Sequence, residues 1–294
     1  MTDETETPSE KVGWIGLGQI GAPMARRLLA HPGGLVVCDV VTEATERFAR
    51  IGAGVAVDAA GVATSGATVI SVMVRDDAQV RTVVGQILPV AASGTVVAVH
   101  STILPETAEE LAVAGAAHGV HIVDAPVSGG AMGAHGGRLA VMAGGAAEAI
   151  ERCREPFALF ADLVVHFGPT GSGTRAKIAR NLITFAAYAA VGEAQQLAEA
   201  AGVDLVALGE VVRHSDAVTG GPGAVMIRAT AAPVADDDPM APILTHTRSL
   251  GEKDLALAVA LGARLGIDTP VAAVALARLA ASLGVPHEQP SGGR

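Results

Sequence analysis

The sequence predicts an α/β fold, with an N-terminal Rossmann-like dinucleotide-binding domain followed by an all-helical C-terminal domain. Three observations carry that expectation. A glycine fingerprint sits between a strand pattern and a helix pattern close to the N-terminus. Short β-branched runs then alternate with Ala-rich helical stretches as far as about residue 168. Beyond Gly168-Pro169 only helical periodicity remains.

The apolar run from Val12 enters Gly16-Leu17-Gly18-Gln19-Ile20-Gly21 and passes at once into a helix over 19–31. Gly16 serves the tight turn, Gly18 lets backbone approach a pyrophosphate, and Gly21 lets the helix lie close on the strand. The helix start offers amide donors and a positive dipole end to the phosphates. A second strand, 35–38, ends in Asp39, the position from which a carboxylate reaches a ribose 2′-hydroxyl. A carboxylate there repels a 2′-phosphate, and Val40, Val41 and Thr42 supply no arginine, so NAD is preferred over NADP.

Further strands are expected at 69–74, 95–99, 122–127, 139–143 and 164–167, and helices at 43–51, 77–84, 105–118 and 146–160. Such alternation implies a largely parallel sheet with helices on both faces. After it, helices are expected at 174–201, 205–214, 224–229, 250–262 and 270–283, with an acidic, proline-bounded loop over 232–242. The organisation read from this is a tail over 1–11, a Rossmann-like domain over 12–168 and a helical substrate and dimerisation domain over 169–294.

Half of the 294 residues are hydrophobic, 17% are charged and 2% are aromatic, so a large core must be built from Ala, Val, Leu and Ile. A net charge of −10, with no basic run, argues against nucleic acid as a partner. The first residues, MTDETETPSEK, lack a basic start and an apolar core, which points to a disordered tail and a cytoplasmic protein. The two cysteines, Cys38 and Cys153, read as reduced thiols. No membrane span is expected: the most apolar long segment, 182–191, is too short and is flanked by Arg180, Asn181 and Glu193.

Four groups of residues are candidates for chemistry. Asp124-Ala125-Pro126-Val127-Ser128-Gly129-Gly130 reads either as a backbone-lined anion pocket with the Ser128 hydroxyl, or as a glycine-rich surface turn. Lys177 and Asn181 are one turn apart on one helix face, with apolar Leu182, Phe185 and Ala186 following. A lysine on a helix is commonly solvated; on an inward face near a helix start its pKa falls, toward general acid–base work. Lys253-Asp254 lies in another helical pattern and cannot pair with itself across one face. His118 and His121 lack a third ligand, so no metal site is expected, and Ser101, Ser128 and Ser215 lack the setting of a hydrolase nucleophile.

Together these segments resemble the β-hydroxyacid dehydrogenase family, from about residue 12 to about 284. Four motifs match in order: GLGQIGAPMA at 16–25, DAPVSGGAMGA at 124–134, GSGTRAKIARN at 171–181 and KDLALA at 253–258. The resemblance implies that Lys177 is the catalytic acid/base, aided by Asn181. It implies that Ser128, Gly129 and Gly130 bind the substrate carboxylate, with Lys177 and Asn181 completing the substrate site. Lys253 would reach the nicotinamide, Thr102 its ribose, and Val74 would lie in the loop over the cofactor. It further implies a homodimer or homotetramer built through the helical domain.

Several positions depart from the family pattern. Arg75 stands where Pro is frequent, His100 where Asp is common, Arg138 where Thr and Arg180 where Asn are usual. Arg138 and Arg180 meet a further anionic group of an unusual substrate or are plain surface residues. The expected reaction interconverts a small β-hydroxy acid and its semialdehyde or ketone, with hydride passing to the nicotinamide. The alternatives are an NADPH-dependent semialdehyde or imine reductase, against which Asp39 and Lys177 respectively count, and a non-catalytic NAD-binding sensor. The decarboxylating 6-phosphogluconate enzymes carry a much larger helical domain than this chain.

Overall fold

From residue 11 to residue 168 strands and helices alternate to build a single sheet in the computed structural model, which describes residues 10–221 and 232–287. β1 (Lys11–Ile15) leads through the fingerprint into α1 (Gly21–Arg27) and β2 (Leu35–Cys38). α2 (Thr42–Ala49), β3 (Gly54–Val55), α3 (Ala59–Thr64), β4 (Ala67–Val72), α4 (Asp77–Ile87), β5 (Val96–Val99), α5 (Pro105–Ala116) and β6 (His121–Asp124) follow. Then come β7 (Val127–Ser128), α6 (Gly130–Gly136), β8 (Leu139–Gly144), α7 (Ala147–Ala158) and β9 (Ala161–Gly168).

The strands lie in the order β3-β2-β1-β4-β5-β6-β8-β7, with β9 on the free side of β8. The first six are parallel, in the 3-2-1-4-5-6 order of dinucleotide-binding sheets. The chain leaves β1 toward β2 on one side and returns to β4 on the other. Loops beyond the C-terminal ends of β1 and β4 therefore diverge and open a crevice there. β8 turns antiparallel to β6.

Both sheet faces are buried, so the strands read as continuous apolar runs rather than alternating ones. Val12 and Trp14 join a core with Met24, Phe157 and Phe160, while Ile15 joins the opposite core with Val62, Val84 and Leu111. Small side chains fill both, as the composition requires.

Several boundaries differ from expectation for identifiable reasons. α1 begins at Gly21 rather than at residue 19, because the fingerprint residues before it form the turn. The strand expected over 122–127 breaks into β6 and β7, because Pro126 has no N–H to give to a ladder. β3, α3 and α6 were not legible: β3 has two residues, and α6 reads GAMGAHG, whose glycines weigh against a helix.

α8 (Ser172–Ala200), α9 (Leu205–Thr219), α10 (Ala241–Leu265) and α11 (Pro270–Leu283) follow, with no strand among the described residues. The helix expected over 224–229 lies outside the described residues. α10 starts earlier than expected, because Pro242 occupies its first turn, where a missing N–H costs nothing. The chain divides into two compact units, Met1–Arg180 and Asn181–Arg294, so the first turns of α8 belong with the sheet. Within the second unit the Glu193 carboxylate accepts from the Val271 and Ala272 amides at 2.7 and 2.9 Å, capping α11 from α8. Among the described residues no helix is long and apolar enough to cross a membrane.

His100, a departure noted in the sequence, is 1% exposed at the end of β5. Its ring stacks on Trp14 at 5.4 Å and meets Phe157 and Phe160 edge-on. Nδ1 lies 2.8 Å from the Ala125 carbonyl, which can only accept, so Nδ1 carries the proton and Nε2 accepts from the Ser71 hydroxyl at 3.0 Å. Burial pushes the His100 pKa down from 6.5 to about 4. The folded state thus holds this ring neutral while the unfolded chain protonates it near pH 6.5, and stability is lost as pH falls from there toward 4. The loss should reach about 3 kcal/mol at pH 4. Urea unfolding at pH 7.5 and pH 4 should show wild type losing that much more than His100→Gln; parallel losses would remove His100 from the acid response.

Candidate active site

A cleft of about 900 Å³ opens at the C-terminal ends of β1, β2 and β4. Gly16, Gly18, Gln19, Ile20, Gly21, Asp39 and Val74 all line it. Gly16 has φ +98°, and a side chain there would collide with the Met73 carbonyl. A Cβ on Gly21 would strike the Gly16 carbonyl, so only glycine lets α1 rest on the turn. At Gly18 a Cβ would meet nothing within 4 Å. That open space beside cleft-lining backbone is where a pyrophosphate needs room, so the residues present fit a dinucleotide.

The cleft walls are held rather than merely near one another. Trp14 Nε1 donates to the Gly16 carbonyl at 2.8 Å. The two Asp39 oxygens accept from the Leu17 and Val41 amides at 2.5 and 2.8 Å. Leu17 itself points into the core, so it serves the site through its backbone alone. The Ser101 hydroxyl accepts from the Val74 amide at 2.9 Å and donates to the Val74 carbonyl at 2.7 Å, pinning the loop after β4. Sequence reasoning weighed Ser101 only as a nucleophile and missed this tie. It also did not place Arg75 in the cofactor cleft, where the structure has it, ion-paired with Asp76 at 3.1 Å.

A second cluster forms where β6 ends and α8 begins. Lys177 Nζ donates to the Val127 carbonyl at 2.7 Å, next to Ser128. The lysine and the Ser128-Gly129-Gly130 turn, far apart in sequence, therefore meet in space. Partial burial lowers the Lys177 pKa, and the nearby Arg180 guanidinium lowers it further. Asn181 lies one turn beyond Lys177 on α8. Gly129 and Gly130 have φ of +132° and +62°, turning the chain sharply between β7 and α6.

Not every expected residue comes to these places. Thr102 is exposed and is not among the residues that line the cleft. Lys253 falls within α10, but its side chain lies outside the described residues. Arg138 is 80% exposed and 3.6 Å from Asp162 at the far edge of the sheet. Asp124, quoted in the sequence only as part of a motif, is fully buried and accepts from Gly171 and Thr174 at the start of α8. A carboxylate closing an apolar strand was the signal available for it.

Comparison with known proteins accounts for this arrangement. Residues 11–168 match the family of the NAD binding domain of 6-phosphogluconate dehydrogenase. Residues 171–288 match the NAD-binding family of NADP-dependent 3-hydroxyisobutyrate dehydrogenase. An uncharacterized oxidoreductase of Mycobacterium tuberculosis is 55% identical, over 98% of this chain and 97% of that one. A crystal structure of an oxidoreductase from Mycobacterium avium has a TM-score of 0.90 at 52% identity, covering 95% of this chain and all (100%) of that one. The 3-hydroxyisobutyrate dehydrogenase of Pseudomonas aeruginosa is 33% identical over 94% of each chain. With both halves matched in order and relatives aligned nearly end to end, the chain belongs to the β-hydroxyacid dehydrogenase family and is an NAD(P)-dependent oxidoreductase.

Proposed function

We propose that the protein interconverts a small β-hydroxy acid and its semialdehyde or ketone, with NAD preferred and Lys177 as general acid/base. The observation that carries this reading is the 2.7 Å bond from Lys177 Nζ to the Val127 carbonyl, which brings a half-buried lysine beside the Ser128 turn. A bound nicotinamide supplies the hydride acceptor. In oxidation, neutral Lys177 takes the hydroxyl proton onto Nζ as the C–O bond becomes C=O and the hydride leaves the β-carbon with the bonding pair. In reduction the same ammonium returns a proton to the oxygen. The Ser128 hydroxyl and the Gly129 and Gly130 amides hold the carboxylate, and Asn181, one turn along α8, orients the substrate.

The lowered Lys177 pKa supports the role, because it raises the neutral fraction at ordinary pH, and oxidation accordingly speeds up as pH rises through that pKa. Asp39 supports NAD: its carboxylate, fixed by two backbone amides, accepts a ribose hydroxyl and repels a phosphate. Thr102 and Lys253 are assigned to the nicotinamide side by family resemblance. The exposed apolar side chains Val191, Val206, Val211, Val218 and Val274 on the C-terminal helices support a homodimer or homotetramer. Two buried cysteines without a disulfide support a reducing, cytoplasmic setting.

NAD(P)H-linked turnover of 3-hydroxyisobutyrate, 3-hydroxypropionate, glycerate, serine, 4-hydroxybutyrate and the matching semialdehydes tests the reading directly. Lys177→Ala should lower kcat by about 10²–10⁴-fold while NADH still binds. Lys177→Arg should fail similarly, since a guanidinium keeps the charge but cannot accept the proton. Full activity in either variant would remove Lys177 from the chemistry.

Asp39→Ala should raise the ratio of kcat/KM for NADP to that for NAD by at least about fivefold, since a unit charge a few ångströms from a phosphate is worth on the order of 1–4 kcal/mol. An unchanged ratio would sink the ribose assignment.

A further inference from the structure

We infer that Asp124 is the positioning residue for Lys177, an inference that rests on Lys177 being the acid/base. Asp124 closes β6 and is 0% exposed. Its oxygens accept from the Gly171 amide at 2.7 Å and the Thr174 amide at 2.6 Å. These are donors that a helix start leaves without intrahelical partners. An ordinary N-cap comes from the residue just before the helix, but here that residue is Gly171, which has no side chain. The cap is supplied instead from another strand.

The approach this requires is unusually close. A Cβ on Gly144 would contact the Asp124 carboxylate, and one on Gly173 would contact the Met142 carbonyl. Both sites must lack side chains for α8 to seat against β6 and β8. A neutral Asn at 124 would offer one acceptor and one NH₂ group to two N–H donors, leaving one of them facing another donor.

The segment that carries Asp124 is itself fixed at every backbone group that matters. The Ala125 amide donates to the Val99 carbonyl at 2.7 Å, and the Ala125 carbonyl accepts from His100 at 2.8 Å. The Pro126 carbonyl accepts from the Met142 amide at 3.0 Å. The Val127 carbonyl accepts from Lys177 Nζ. One rigid bracket therefore grips α8 twice, by its N-terminal amides and by its lysine. The first grip, together with the Arg175–Glu109 pair at 2.5 Å, sets the register of the helix start, and so the place of the ammonium beside the Ser128 turn. A misplacement of about 1 Å at a reacting group costs about 10²-fold in rate.

The test uses the fact that the chain has three lysines, Lys11, Lys177 and Lys253. The full-length protein and its Asp124→Asn, Asp124→Glu and Asp204→Ala variants are labelled with acetic anhydride, and each lysine is followed by peptide mass spectrometry. NADH binding, melting temperature and kcat on the hydroxy acid turned over by wild type are measured alongside. Asp204→Ala is the control, because it removes the cap of α9 that Asp204 gives to Ala207. Asp124→Asn should change the Lys177 labelling rate by at least about threefold relative to Lys11 and lower kcat by about 10²-fold. NADH affinity should stay within about twofold, and Asp124→Glu should restore part of the rate. Asp204→Ala should lower the melting temperature and leave Lys177 labelling and kcat alone.

Wild-type labelling and kcat in Asp124→Asn, with only a lower melting temperature, would overturn the inference. Altered labelling with unaltered kcat would uphold the positioning and overturn the role of Lys177 in the chemistry. Should Asp124→Asn fail to fold, Gly144→Ala displaces the same carboxylate without removing its charge. The same labelling change then supports the inference, and wild-type labelling overturns it.

Discussion

A buried carboxylate with no donors would be among the costliest groups a protein could hold, and the end of the sheet that meets Lys177 is arranged around satisfying one. Asp124 stands at the C-terminal end of a central strand, and the amides that meet it are the first of the long helix α8. The two needs cancel: the helix start lacks acceptors and the carboxylate lacks donors. From that pairing follow the glycines at 144 and 173 and the meeting of Lys177 with Val127. Had the cap been local to the helix, α8 could still have formed, but it would have lacked this tie to the end of β6.

The cofactor cleft follows a second constraint, the divergence of loops at the sheet's switch point. Its polar walls are secured from behind by side chains that are not among those lining it. Trp14 holds the Gly16 carbonyl, and Ser101 holds both backbone groups of Val74. His100 ties these to the segment before Ser128, stacking on Trp14 while donating to the Ala125 carbonyl beside Asp124. Three of the chain's seven aromatic residues, Trp14, Phe157 and Phe160, are packed together around this ring.

How much of this was legible in the sequence depended on whether the cause was local. The glycine fingerprint, Asp39 and the alternation of strands and helices are consequences of neighbouring residues, and each appears where the sequence indicates it. The break at Pro126 was also local, yet an apolar run on both sides disguised it. Ser101 and Asp124 could not be assigned from neighbours, because their partners lie 27 to 50 residues away. The proximity of Lys177 to Ser128 was available only through family resemblance; no spacing rule connects positions on opposite sides of β8 and β9. α6 was hidden for the opposite reason, since its local composition opposes the helix that its packing enforces.

Lysine suits a reaction that runs both ways only if its neutral and charged forms are both accessible. A solvated lysine is almost wholly protonated at neutral pH and would serve reduction alone. Two features move Lys177 away from that limit: its side chain is half-buried, and Arg180 stands one turn along the same helix. Opposing them is the bond to the Val127 carbonyl, which an ammonium donates more strongly than an amine. On the proposed role, Nζ has to leave that carbonyl for the substrate oxygen, which asks that the bond be modest in strength. Arg180 therefore weakens the hold of Lys177 on its proton through space.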